Sequence, residues 1–172
     1  MTTLTETRSP ASAELAPIGL AEAQAFVWAE AELLDRHDYL PWLAQWTEGG
    51  RYIIPIERDA EDYAAVLNIA YDDGEMREAR VKRLRSGFSM SSAPPARTVR
   101  TVSRFVVETS EPGALVLRAA QIIVEYKYTR TRTLAADVSY RLVRDGERLL
   151  LDRKVVTLIN SDDTLHGIGY LF

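Results

Sequence analysis

The chain has 172 residues, 47% of them hydrophobic and 27% charged, with a formal net charge of −4. That length suits one domain with a sizeable core, and the acidic balance makes no electrostatic case for nucleic acid or an anionic membrane as partner. There is no cysteine, which excludes disulfides, thiol nucleophiles, cysteine-ligated zinc and cysteine-held iron–sulfur clusters.

Residues 1–17, rich in Thr, Ser, Ala and Pro, read as a loose tail, and residues 18–172 as one domain. From Leu20, apolar residues recur at helical spacing. Leu20, Ala23, Val27, Ala31 and Leu34 form one stripe, widened by Phe26 and Leu33. Glu30 falls inside that stripe, an unusual place for a carboxylate. His37 closes the helix, where an imidazole helps satisfy the C-terminal dipole. Asp38 reads as the N-cap of a short second helix, Tyr39–Trp46, with Pro41 in its first turn and Gly49-Gly50 ending it.

Arg51–Ile56 reads as a strand with Pro55 at its edge or end, and Val66–Tyr71 as another. Asp72-Asp73 starts a third helix over 74–85, and Ser86–Pro95 is a loop by composition. Four long strands follow, over 97–109, 114–128, 131–144 and 147–160, with Asp145-Gly146 as a hairpin signal. Helices first and a long meander afterwards predict an α+β fold: one strongly curved, mainly antiparallel sheet covered by N-terminal helices. No apolar run reaches the roughly 20 residues that span a bilayer, and the N-terminus lacks a basic-then-apolar leader pattern, so the cytoplasm is the expected compartment. The other histidine, His166, lies far from His37 in sequence, which argues against a two-histidine iron site.

In the last strand, LLLDRKVVTLIN (Leu149–Asn160), the charges Asp152-Arg153-Lys154 interrupt an apolar run. A turn at Asp145-Gly146 sets Arg144 opposite Glu147, Tyr140 opposite Leu151 and Val138 opposite Arg153. One face is then apolar apart from Arg153, and Glu30 is its natural partner, giving a structural ion pair Glu30–Arg153 beneath the helices. The opposite face sets Asp137 against Lys154 and Ser139 against Asp152, among Leu150, Val156 and Leu158. Such a mixed face resembles a protein–protein contact, although scattered aliphatics also occur on ordinary surfaces. A bulge would alter this register. Further interface candidates are Trp28, off the main stripe of the first helix, and Arg100 and Arg104, on one face of a strand. Tyr170 and Phe172 complete the set, in an apolar stretch expected to dock on its own or a neighbouring subunit.

Four stretches taken together resemble a known family: VWAEAELLDRHDYLPWLAQWTEGGRYIIPI (Val27–Ile56), YDDGEMREARVKRLRSG (Tyr71–Gly87), PPARTVRTVSRFVVE (Pro94–Glu108) and LLLDRKVVTLIN. In order and spacing they look like the small, or β, subunit of bacterial aromatic-ring-hydroxylating dioxygenases. The resemblance implies a cone-shaped, nuclear-transport-factor-2-like fold. It implies a trimer of this chain joined to a large α subunit, usually as α3β3. The α subunit would carry the Rieske [2Fe–2S] cluster and mononuclear Fe(II). It would perform the cis-dihydroxylation of an arene with dioxygen and electrons from NAD(P)H. This chain would then hold no catalytic, cofactor-binding or metal-binding residue and would serve assembly.

The same fold class also hosts isomerases and dehydratases that work by acid–base chemistry inside the cone. Where such enzymes place a base near the end of the first strand, this chain has Ile53-Ile54-Pro55. Glu30, Tyr140 and Arg153 make the alternative acid–base pocket. A binding module with Trp28, Trp42 and Trp46 lining an open cone is a third reading.

Overall fold

The apolar stripe of the first helix closes it onto a sheet. In a computed structural model, which describes residues 16–86, 94–163 and 167–172, α1 (Leu20–Asp35) buries Ala23, Val27, Ala31 and Leu34, with Glu30 among them. Residues 1–15 of the expected tail, most of the 86–95 loop and His166 lie outside the described residues. The end of α1 is a Schellman motif. The Asp38 N–H donates to the Leu33 carbonyl at 2.8 Å and the His37 N–H to the Leu34 carbonyl at 3.2 Å, with His37 in left-handed backbone at φ 58°. His37 therefore closes the helix through its backbone. Burial, helped by Arg100, holds its imidazole below the usual histidine range, which disfavours the cation that a dipole role calls for.

The second helix, α2 (Tyr39–Leu43), is shorter than its pattern predicts, because β1 (Trp46–Pro55) starts early. Gly49-Gly50 lies inside that strand, not at a helix end. A side chain at Gly50 would meet Trp46 Cε3 at 3.0 Å and the Leu151 carbonyl at 3.2 Å, so only glycine lets β1 pass this close. There follow β2 (Asn68–Asp72), α3 (Gly74–Ser86), β3 (Arg97–Glu111), β4 (Ala114–Lys127), β5 (Arg130–Asp145) and β6 (Arg148–Leu158). The sheet order is β2-β1-β6-β5-β4-β3. All neighbours are antiparallel except β1 and β6, which run parallel, so the sheet is mixed. The α+β expectation holds: helices pack on one curved six-stranded sheet, and the core lies between them.

The β5–β6 register differs from expectation in two ways. The turn is Gly146-Glu147, so Asp145 faces Arg148 and Leu142 faces Leu151. That slip moves partners along the strand by an even step and leaves the faces unchanged. A bulge then intervenes between Arg141 and Leu142, leaving Asp152 as the extra residue, and beyond it Arg141 faces Arg153, Tyr140 faces Lys154 and Val138 faces Val156. The odd step turns every later side chain of β6 over. Lys154, not Arg153, points into the core.

Gly146 sits at φ 62° with open space around its Cα. Gly146→Ala is expected to lower stability by about 1 kcal/mol, and Gly146→Asn by less, because the cost is backbone strain alone. Denaturant midpoints of the three chains check this.

Candidate functional site at the centre of the curved sheet

The innermost group is an ammonium. Lys154 is 0% exposed, and its Nζ donates to Glu30 Oε1 at 2.6 Å and to the Phe172 carbonyl oxygen at 2.8 Å. It also lies 5.4 Å from the centre of the Tyr140 ring. Glu30 Oε1 accepts a second hydrogen bond, from Trp42 Nε1 at 2.9 Å. The carboxylate that broke the apolar stripe of α1 thus ties together α1, α2 and β6. Burial holds the Lys154 ammonium below the usual lysine range, against the opposing pull of Glu30. The expected Glu30–Arg153 pair is corrected: the bulge leaves Arg153 on the outer face, exposed, and puts its neighbour beside Glu30.

Arg100 builds a second node. Its guanidinium pairs with Asp35 at the end of α1, reaches Thr98 Oγ1 at 3.0 Å and donates to the Leu171 carbonyl. Asp35 also accepts from the Arg100 backbone N–H and from Thr98 Oγ1, each at 2.8 Å. Tyr170, Leu171 and Phe172 are buried between these nodes. The Phe172 N–H donates to the Tyr52 hydroxyl at 2.9 Å, and the Arg100 guanidinium lies 5.7 Å from the centre of the Tyr170 ring.

The interior therefore holds paired charges packed against the chain's own C-terminal segment. Burial raises the hydroxyls of Tyr39, Tyr52, Tyr140 and Tyr170, Tyr39 to about 12. Proton exchange at neutral pH is disfavoured at all four. Of the acid–base pocket read from sequence, the structure brings Glu30 and Tyr140 to Lys154 and leaves Arg153 outside. Trp42 packs edge-on against Trp46 and Tyr52, at ring separations of 5.3 and 5.8 Å, as core and not as the wall of an open cone.

Six interface candidates lie inside the chain: Lys154, Val156, Leu158, Arg100, Tyr170 and Phe172 are all buried, the last two docked on their own chain, one of the two outcomes expected for that stretch. For Lys154, Val156 and Leu158 the bulge is the reason. Arg100 shares the inner face with Thr98 and Val102, because Asp35 compensates its charge there. The remaining candidates stay near the surface. Trp28 is 53% exposed, donates from Nε1 to the Val102 carbonyl at 3.1 Å and meets Phe105 edge-on. Asp137 pairs with Arg104. Asp152 accepts from Arg141 at 2.6 Å and from Thr47 at 2.9 Å, and Leu150 is half-buried. Sequence reading missed Asp35 and Tyr52. Asp35 sits at the anionic end of a helix dipole, which gives no hint of a buried role, and Tyr52 shares its strand with aliphatics.

Two outcomes follow. Lys154→Ala leaves Glu30 buried without its cation and is expected to cost about 3–5 kcal/mol. Glu30→Gln combined with Lys154→Met should recover most of that loss, read from urea unfolding. Stability should also fall as pH rises. The four buried tyrosines ionise less readily folded than unfolded, so their contribution is complete below the ordinary tyrosine value, about pH 10, and declines toward about 12, where Tyr39 titrates. Tyr39→Phe should reduce that decline in chemical denaturation across the alkaline range.

The family model described as the ring hydroxylating beta subunit matches residues 29–162. Solved structures share the fold. The β subunit of benzoate 1,2-dioxygenase from Burkholderia mallei aligns at 22% identity and a TM-score of 0.73, over 88% of this chain and 98% of that one. Naphthalene 1,2-dioxygenase with indole bound in its active site aligns at 16% identity and a TM-score of 0.74, over 88% of this chain and 84% of that one. ActVI-ORFA from Streptomyces coelicolor aligns at 17% identity and a TM-score of 0.61, over 81% and 94%. The structural likenesses establish the curved-sheet fold expected from the motifs. The family match, spanning most of the described strands and helices, establishes the lineage: the chain belongs to the β subunits of aromatic-ring-hydroxylating dioxygenases.

Proposed function

We propose that this chain is a non-catalytic, structural β subunit of a terminal oxygenase, supporting an α3β3 assembly that cis-dihydroxylates arenes in cytoplasmic aromatic catabolism. One observation carries the reading: the interior that would house an acid–base site in a stand-alone isomerase is filled by the Glu30–Lys154 pair and by Tyr170–Phe172. A Rieske cluster needs two cysteines and two histidines, and this sequence has no cysteine. Among the described residues no three His, Asp or Glu side chains gather in a metal-binding group. A sequence without cysteine cannot hold the cluster, and the described residues offer no group for the mononuclear iron, so in this reading both reside in the large α subunit.

The outer surface supports a covered role. On β3 and β4, Val99 faces Val124 and Thr101 faces Ile122, and Val99, Ile122, Val124 and Tyr126 are all exposed, Val99 by 66%. An outward apolar patch of this kind marks a contact surface. Across β1, β6 and β5, Arg51, Arg153 and Arg141 lie side by side. Like charges directly opposite one another are unfavourable, and an acidic partner surface would offset that cost. Among the described residues, Arg153 has no ion-pair partner, while Arg141 is held by Asp152.

Val124→Asp and Arg153→Glu, each co-expressed with the large subunit, should weaken co-purification at least tenfold. The melting temperature of the isolated variant should move by only about 2–3 °C, as for surface substitutions. Turnover of an arene or a ketosteroid by the isolated chain would overturn the reading, and so would undiminished assembly of both variants.

A further inference from the structure

We propose that the cleft between the start of β1 and the first turns of α3 binds a basic segment of a protein partner. A lysine or arginine of that segment meets the carboxylates at the rim, and a backbone carbonyl beside it reaches the donors of the floor. The assembly reading names the source of the segment, the large subunit; the site itself does not rest on that reading.

Strand β1 makes room for the cleft. Trp46 faces Leu151 on β6, and Arg51 faces Arg153, so five steps along β1 match two along β6. The excess lies in residues 47–50, which swing out of the ladder. Irregularities of this kind re-aim side chains and collect beside functional sites. A cavity of about 590 Å³ lies against the excursion, with Asp73, Gly74, Glu75 and Glu78 on its other side.

Trp46 and Arg77 also line this cavity, and they are only 7% and 3% exposed. The Arg77 guanidinium lies 4.3 Å from the centre of the Trp46 ring. Its terminal nitrogens donate to the Gly50 carbonyl and, at 3.4 Å, to the Thr47 carbonyl. Those bonds hold the excursion in place and account for the structural role of Arg77. Two donors are left over. Trp46 Nε1 and Arg77 Nε are buried and have no hydrogen-bond partner among the described residues. The other two indoles differ: Trp28 donates to Val102 and Trp42 to Glu30. Buried donors are nearly always satisfied, and each exception calls for an explanation. An acceptor that a ligand brings into the cavity supplies one.

The rim sets the charge of that ligand. Glu48, Asp73, Glu75 and Glu78 line the cavity, against Arg51 and Arg77. Two of the carboxylates have local roles. Asp73 caps α3, accepting from the Met76 N–H at 3.0 Å, and Glu75 sits in the first turn of α3, where the helix dipole favours it. Glu48 and Glu78 are exposed, and neither pairs with a cation in contact among the described residues. Four carboxylates against two guanidinia leave a surplus of negative charge. Among the described residues they do not gather into a metal-binding group. A cation on an extended side chain can reach them where a metal ion cannot be held, and a carbonyl next to that cation, for the floor donors, makes it part of a peptide.

The test follows the indole N–H signals of the full chain by NMR, assigned with Trp28→Phe and Trp46→Phe, as acetyl-Gly-Arg-Gly-amide is added. The Trp46 signal should shift and saturate. The Trp28 and Trp42 signals, whose donors are bonded within the chain, should stay. Acetyl-Gly-Gln-Gly-amide should bind at least tenfold more weakly, and so should the arginine probe to the double variant Glu48→Gln, Glu78→Gln. Val124→Asp, chosen above to weaken assembly, should leave the probe's affinity unchanged, so the two readings fail separately. No saturable shift at Trp46, or equal binding of the arginine and glutamine probes, overturns the inference. A folded double variant that binds the arginine probe as tightly as the unaltered chain overturns it too. The two probes are compared on the unaltered chain, so the outcome does not hang on the folding of a variant.

Discussion

The fold turns on a charge pair that has no contact with water. Removing an ammonium and a carboxylate from solvent costs several kcal/mol for each ion, and attraction repays this only where geometry is good and the remaining polar atoms are satisfied. Here both conditions are met. Lys154 meets Glu30 at 2.6 Å, Trp42 completes the carboxylate, and the Phe172 carbonyl and the Tyr140 ring complete the ammonium. The arrangement positions four otherwise separate pieces: α1, α2, β6 and the C-terminal segment. Apolar packing alone would hold them together. Paired directional groups also select how they are set against one another.

Arg100 repeats this logic one strand region away, joining the end of α1 to β3 and to Leu171. Together the two nodes set charge into a core that is otherwise apolar. Charged groups with dedicated partners lie inside, while Val99, Ile122, Val124 and Tyr126 lie outside. The occupied interior and the exposed apolar patch on β3 and β4 are the two observations that support the proposed covered role. This is the physical basis for reading a member of an oxygenase β-subunit family as an assembling subunit.

The sites named from sequence moved for one physical reason. Side chains in a strand alternate with a period of two, so an error of one residue exchanges the inside for the outside. The turn beyond Asp145 is displaced, but by an even step that is harmless to the faces. The extra residue Asp152 is not harmless. It carries Lys154, Val156 and Leu158 inward and leaves Arg153 facing Arg51 and Arg141. The bulge is invisible locally, because Asp152 finds its partners, Thr47 and Arg141, on other strands.

What the sequence alone determined was the set of elements and the existence of a buried charge. The stripe through Ala23, Val27, Ala31 and Leu34 has helical period and can bury only one face, so Glu30 within it required a cation. The alternation of the second half and its turn residues specified four long strands. Tertiary structure decided which cation answered Glu30, that β1 joined β6 in parallel, and that Tyr170–Phe172 turned inward. Those outcomes depend on contacts between residues more than a hundred positions apart, such as Glu30 with Lys154 and Tyr52 with Phe172. No local pattern encodes such contacts: they exist only once the sheet has curved and brought its inner face around the helix.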